Sequence, residues 1–227
     1  MRSPMKSPLS GNPPTRALTD EAGRLAFRVM PREITPFRAK LADGISSALG
    51  LGLMVASMTA ISDWRHPDLS VLVAAFGSAA LASWALRFAA REALKTTTQI
   101  ELSLDSIRVK RVLGWARFDR CLEHCFALLP HDQAERERRR NELDTRFAAT
   151  QGQVVQMPVY YGDSFHVVMV YAGHRVDLLS IYGRQRAAAV VARLQYCDRQ
   201  LEQEAKRLGA GNNPHVDADW HHSPGGL

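Results

Sequence analysis

LADGISSALGLGLMVASMTAIS, Leu41 to Ser62, and LSVLVAAFGSAALASWAL, Leu69 to Leu86, are two apolar runs joined by the polar turn DWRHPD. Each is long enough to cross a bilayer as a helix, for which about 17–25 residues suffice. The first run holds one charge, Asp43, near enough to its start to reach the headgroups. The second holds none before Arg87, whose long side chain can snorkel to the interface. Trp64 and Trp84 stand near run ends, where indole rings favour the wet edge of a bilayer. Two buried helices of a soluble domain would leave the basic flanks of both runs unexplained.

Those flanks orient the hairpin. Arg24, Arg28, Arg32, Arg38 and Lys40 precede the first run, and Arg87, Arg91 and Lys95 follow the second. The turn has only Arg65, beside Asp63 and Asp68. The positive-inside rule then predicts a multi-pass protein of a bacterial inner membrane with both termini in the cytoplasm. Gly44, Ala48, Gly52, Ala56 and Ala60 recur every fourth residue, as do Ala75, Ala79 and Ser83. That spacing puts each set on one helix face, and small faces allow close approach in lipid. The expected seam is between the two helices, with a homo-oligomer seam as a compatible reading.

The whole chain has 227 residues and a net charge of +6. Beyond the hairpin there is material for about one further domain. A basic balance suits nucleic acid, but membrane proteins gather cations on their cytoplasmic side anyway, so nucleic acid is set aside as a partner. The cysteines, Cys121, Cys125 and Cys197, are odd in number and read as reduced thiols. Cys121, His124 and Cys125 lack a second ligand pair at zinc spacing, so no metal or other cofactor is expected. The first apolar run starts far from Met1 and reads as an uncleaved anchor.

Residues 1–40 read as a basic lead. Its proline-containing start, 1–17, is expected to be disordered. TDEAGRLAFRVM, capped by Thr19, is read as a short amphipathic helix lying on the membrane. After the hairpin, Arg87 to Lys95 extends the second helix, and residues 96–208 form one cytoplasmic domain. It opens as an antiparallel meander: Ile100, Leu102 and Leu104 alternate with polar residues, Ile107 and Val109 follow, then WARFDRCL and CFALLP. DQAERERRRNELDTRFAAT, Asp132 to Thr150, is a charged helix capped by Asp132, with Gly152 as its stop. Its arginines Arg136, Arg138, Arg139 and Arg140 invite an acidic-partner or phosphate reading, weighed against a solvated face laced with pairs such as Glu135–Arg139. QVVQM reads as a strand. SFHVVMVY and HRVDLLSIY form a hairpin closed at Ala172-Gly173. A long helix, Arg184 to Leu208, carries the stripe Ala187, Val190, Val191, Leu194, Cys197, Leu201, Ala205 and Leu208, which should cover the sheet. The tail after Gly209, with His215, His221 and His222, reads as disordered.

The strand pair IELSLDSIRVKR, the strand WARFDRCL and the closing unit SFHVVMVYAGHRVDLLSIYGRQRAAAVVARL together resemble, in pattern and order, the bacterial PH-like domain proteins with a two-helix anchor. The charged stretch 132–150 stands outside that pattern, as an insert between two β blocks. The resemblance implies an α+β membrane protein: a transmembrane hairpin over 41–95, then a small bent antiparallel sheet closed by a C-terminal helix. It also implies a scaffold or interaction role without catalysis.

The function expected is therefore an anchored cytoplasmic module that binds a partner protein. A basic cluster of Arg108, Lys110, Arg111, Arg117 and Arg120 is the expected contact for anionic lipid. The alternative is an accessory subunit of a secretion or DNA-transfer machine, touching nucleic acid through 132–150. A membrane-bound enzyme is the third reading. It would need His124, Asp163 and His166 gathered in a pocket, and Asp163, Ser164, His166, His174 and Asp177 show no nucleophile-elbow pattern.

Overall fold

The computed structural model describes residues 9–20, 22–61, 69–155 and 157–209. The start of the leader, the turn 62–68 with Trp64 and Arg65, the side chain of Ala60, and the tail with its three histidines lie outside the described residues. The architecture is α+β, with antiparallel sheets and two helices long and apolar enough to cross a membrane.

The N-terminal lead differs most from expectation. Where a disordered stretch and a short helix were expected, the chain forms two strands, β1 (Thr15–Thr19) and β2 (Leu25–Val29), paired antiparallel. Asp20, next to the expected helix cap, instead makes the turn: its Oδ1 accepts the N–H groups of Ala22 and Arg24. Gly23 takes φ +76, which side chains resist. Asp and Thr serve helix caps and tight turns equally well. The period of two in Leu25, Phe27 and Val29 prevails over the helical spacing because these residues face a core.

After a two-residue strand β3 (Arg32–Glu33) the chain enters α1 (Pro36–Ile61) and returns through α2 (Leu69–Ala93). A short β4 (Thr96–Thr97) pairs with β3 and ties the entry of α1 to the exit of α2. Then β5 (Ile100–Ser103) docks on β2, with Val29 directly opposite Ile100. Residues 30–99 are thus one excursion between two cross-strand neighbours. The β domain begins at Thr15, and the helical hairpin is inserted into it rather than placed before it.

Most of the surface of α1 and α2 is exposed, including Leu41, Leu49, Leu53, Val73, Phe76, Leu81, Trp84 and Phe88. Apolar exposure on this scale is unlike a soluble core helix. The seam between the helices is only partly the expected one. Ala75, Ala79 and Ser83 face α1, but the α1 side of the contact is Ala39, Ala42, Ser46 and Gly50. A Cβ on Gly50 would lie 2.8 Å from Ser83 Cβ. Gly44, Ala48, Gly52 and Ala56 point away from α2 and are exposed. The four-residue spacing was real, but the neighbouring small-residue row of α1 makes the contact.

The sheet continues through β6 (Ser106–Arg111) and β7 (Gly114–Asp119), in the order β1-β2-β5-β6-β7. A second sheet holds β8 (His124–Pro130), β9 (Ser164–Tyr171) and β10 (His174–Tyr182), in the order β10-β9-β8. The turn at Ala172-Gly173 has positive φ at both residues, as a tight hairpin requires. Between β8 and β9 stands α3 (Ala134–Thr150), preceded by Gln133 with no side-chain cap; Asp132 pairs with Arg175 instead. Gly152, at φ +72, ends the helix as expected. Within QVVQM, Gln153, Val154, Val155 and Met157 form no strand, Gln156 lies outside the described residues, and Val154 is fully exposed. Finally α4 (Arg184–Arg207) lays Ala187, Val190, Val191, Leu194, Cys197 and Leu201 against Phe27, Ile100, Leu102, Ile107, Val167, Met169 and Ile181. Ala205 continues the stripe, partly buried against the same core, and only Leu208 falls outside it, exposed.

Candidate functional site at the base of the helical hairpin

Asp43 does not reach out to headgroups. It is buried between α1 and α2, one turn after the buried Ala39 and next to the buried Ala42. Arg87 and Arg91, one turn apart on α2, both donate to it: Arg87 Nε to Oδ1 at 2.8 Å and Nη2 to Oδ2 at 2.5 Å, Arg91 Nε to Oδ1 at 2.9 Å and Nη2 to Oδ2 at 2.8 Å. A carboxylate in a helix long and apolar enough to cross a membrane demands such partners. Arg87 is thereby held on α1 rather than free to snorkel. A third donor comes from the sheet domain, the Tyr160 hydroxyl, 3.0 Å from Oδ2. Burial, seconded by the Asp43 carboxylate, raises the Tyr160 phenol above its ordinary range, so it stays a donor. The Arg91 guanidinium also lies 5.7 Å over the Tyr182 ring.

The charged helix α3 positions Tyr160. Glu137 accepts the N–H of Tyr160 at 3.0 Å and that of Gly162 at 2.7 Å. Arg138 donates to the Gly162 carbonyl, and Ser164 Oγ donates to the Tyr160 carbonyl at 2.6 Å. Arg139 pairs with Glu135 on the solvent side. This leaves Arg136 and Arg140, on one face of α3, beside a cavity of about 490 Å³ walled by Lys40, Met157, Pro158, Tyr160 and Tyr161.

The expected basic cluster divides into three. Arg108 and Arg117 are cross-strand neighbours on the outer face of the five-stranded sheet, in a rung that runs Arg16, Arg28, Glu101, Arg108, Arg117 across all five strands. Lys110 lies on the same face, opposite Trp115. Arg111 turns to the other face and donates to the Asp177 carbonyl at 2.6 Å. Arg120 is no surface residue at all: it is 2 % exposed, and its Nε donates to Asp198 Oδ1 at 2.7 Å. His124 Nε2 lies 3.3 Å from the same carboxylate oxygen. This buried trio joins the β7–β8 connection to α4.

The β6–β7 turn carries the fully exposed Val112 and Leu113, with Trp115 beside them. The Lys110 N–H donates to the Gln99 carbonyl, so this turn stands at the sheet end where the chain emerges from α2 and β4.

The residues weighed for hydrolysis are spread apart. Ser164 is bound to Tyr160, His166 stacks on His131 at 4.4 Å, His174 is exposed, and Asp177 pairs with Arg175. Among the described residues, no three His, Cys, Asp or Glu side chains gather as a metal site. Cys197 is buried, which pushes its thiol up to about 12. Sequence reasoning missed Asp43 as a hub, Tyr160 and Asp198. The available signal was a lone acid near the start of one apolar run and two arginines one turn apart just after the end of the other.

No family model matches the chain, and no curated protein or solved structure matches it either.

Proposed function

We propose that this chain is a membrane-anchored interaction module of the bacterial inner membrane. Both termini are cytoplasmic, and a PH-like β domain faces a protein partner and the lipid surface. One observation carries the reading: the exposed apolar hairpin leaves the sheet at Val29 and returns at its direct neighbour Ile100. Both helix ends are therefore tied to one face of one domain, as two membrane crossings require. The PH-like reading is supported by two antiparallel sheets covered by the terminal helix α4. Cytoplasmic orientation is supported by the cations at the helix bases. The β6–β7 turn, with Lys110, Val112, Leu113 and Trp115 at the hairpin end of the sheet, suits contact with an anionic bilayer. Partner binding falls to the edge strands β1 and β7. The nucleic-acid reading loses ground, because Arg138 and Arg139 are engaged within the chain.

Carbonate extraction and protease protection on the full chain test this. The chain should remain in the membrane pellet after carbonate, and its β domain should survive protease added outside intact spheroplasts. Release by carbonate would overturn the anchor, and cleavage of the β domain from outside would overturn the orientation.

A further inference from the structure

We infer that the cavity between α3, the segment 157–161 and the first turns of α1 binds a phosphate-bearing anion, with the headgroup of an anionic phospholipid as its source. This inference rests on the membrane reading above for the source of the phosphate, but not for the site itself.

Three cations line this space. Arg136 and Arg140 project from successive turns of α3, a like-charged i,i+4 pair that disfavours the helix unless an anion lies between. Lys40 joins them from α1. The one acid in the lining, Glu137, is already engaged: its Oε2 accepts the N–H groups of Tyr160 and Gly162, and its Oε1 shares that of Tyr160. Arg140 meets Asp144 only at 3.7 Å, through two exposed side chains. The cavity thus combines guanidinium forks and an ammonium, the donors that phosphate oxygens select.

Two other cavities differ. The groove of about 400 Å³ over the five-stranded sheet holds Asp20, Glu101 and Asp105 among its arginines, and Arg24 and Arg28 are paired with them. The space of about 290 Å³ beside α2 has Lys95 against Glu92, and its Arg186 lies near Glu33.

The walls around Lys40 are fixed. Tyr160 is held by Asp43 through its hydroxyl and by Ser164 and Glu137 through its backbone. Lys40 immediately precedes Leu41, the beginning of the continuous apolar run of α1. A phosphate bound by Lys40 therefore sits where the headgroup layer meets the hydrocarbon. Met157 and Pro158 give the cavity an apolar side, suited to the glycerol and upper acyl atoms of a lipid.

The test is native mass spectrometry of the full chain released from vesicles of phosphatidylcholine, with and without phosphatidylglycerol. The wild type should retain phosphatidylglycerol in preference to phosphatidylcholine. The double variant Arg136→Gln/Arg140→Gln should lose that preference by about tenfold or more, since two basic contacts are removed. Arg139→Gln, on the same helix but outside the cavity, should keep it, which separates loss of the site from loss of general charge. Titration of the detergent-solubilised chain with inorganic phosphate and glycerol phosphate forms the second arm. Weak binding that the double variant abolishes supports the phosphate chemistry. Tight binding of these soluble anions with no lipid preference overturns the lipid source. Equal phosphatidylglycerol retention by wild type and double variant overturns the site. Carbonate extraction of the same samples reports on the anchor separately, so a failed anchor and an empty cavity give different results.

Discussion

Asp43 is held by two arginines and Asp198 by an arginine and a histidine, yet in opposite surroundings. Asp198 lies inside the β domain with Arg120, and both side chains are almost wholly enclosed, at 3 % and 2 % exposed. Asp43 is enclosed too, but its partners Arg87 and Arg91 are 49 % and 31 % exposed. The first arrangement closes a core: it fixes the β7–β8 connection to α4. The second is a joint, where helices from one half of the chain meet Tyr160 from the other. The same chemical motif serves cohesion in one place and coupling in the other, and the exposure of the cations distinguishes them.

The largest effect should come from the core trio. Asp198→Ala leaves Arg120 charged and enclosed without its carboxylate, and breaking a buried pair on one side costs about 3–5 kcal/mol. Denaturant unfolding of the full chain in detergent, followed through the β-domain signal, should register this as a global loss. Asp198→Asn should recover part of it, by restoring an acceptor without the charge. A loss below about 1 kcal/mol for Asp198→Ala, the level of an exposed pair, would put Arg120 in contact with water and erase the contrast with Asp43.

Asp43→Ala should cost less, about 1.5–3 kcal/mol, the range for hydrogen bonds to a charged group, because the partly exposed Arg87 and Arg91 can turn outward. Its effect should also be local. Hydrogen exchange should accelerate at Tyr160 and its neighbours in 157–163 and at the bases of α1 and α2, while β5, β6 and α4 keep their protection. Tyr160→Phe removes only the third donor and should reproduce the loop effect with α1 and α2 still joined. Uniform acceleration across the β domain in Asp43→Ala would show that the hairpin is part of the domain's core stability, and that the joint and the core are one unit.

Some of this was legible in the residues and some was not, for identifiable reasons. The two apolar helices, the strands at 100–111 and 164–182, and the α4 stripe follow from periodicity, because each presents one continuous face to one environment. The N-terminal hairpin was hidden because Leu18, Ala22, Leu25, Ala26 and Val29 fit a helix while Leu25, Phe27 and Val29 fit a strand. Only the partner β5, far along the chain, decides between them. A domain drawn from Thr96 onward therefore lacks two strands of its own sheet. Arg120 looked like its basic neighbours because burial is a tertiary property. Its partner Asp198 lies on α4, on the polar border of the apolar stripe, and nothing local links them. In α3 the arginines alternate with acids, and only the fold shows which of them face solvent, which hold the 157–163 segment and which line the cavity.

The smallest expected effect separates the two carboxylates by their response to pH. Asp43 is held by arginines, which stay charged throughout. Asp198 is shared with His124, whose Nδ1 lies 2.9 Å from the Leu122 carbonyl and whose Nε2 lies 3.3 Å from Asp198 Oδ1. Both neighbours are acceptors, so the doubly protonated ring satisfies both. Burial works against that charge, but the Asp198 carboxylate outweighs it and holds the imidazole above its ordinary value, even with Arg120 opposing. A raised folded value stabilises the native state fully below the unfolded value of about 6.5, and the gain is lost as pH rises through the folded value. The stability difference between wild type and His124→Gln should therefore be largest in mildly acidic buffer and shrink on the alkaline side. Taking the difference cancels the opposite slope of His131, whose ring burial holds below its usual range. The difference between wild type and Asp43→Ala should stay level over the same interval. If the His124 difference is also level, the ring is neutral in the fold. Arg120 then holds Asp198 without help from a charged His124, and the contrast between the two carboxylates reduces to burial.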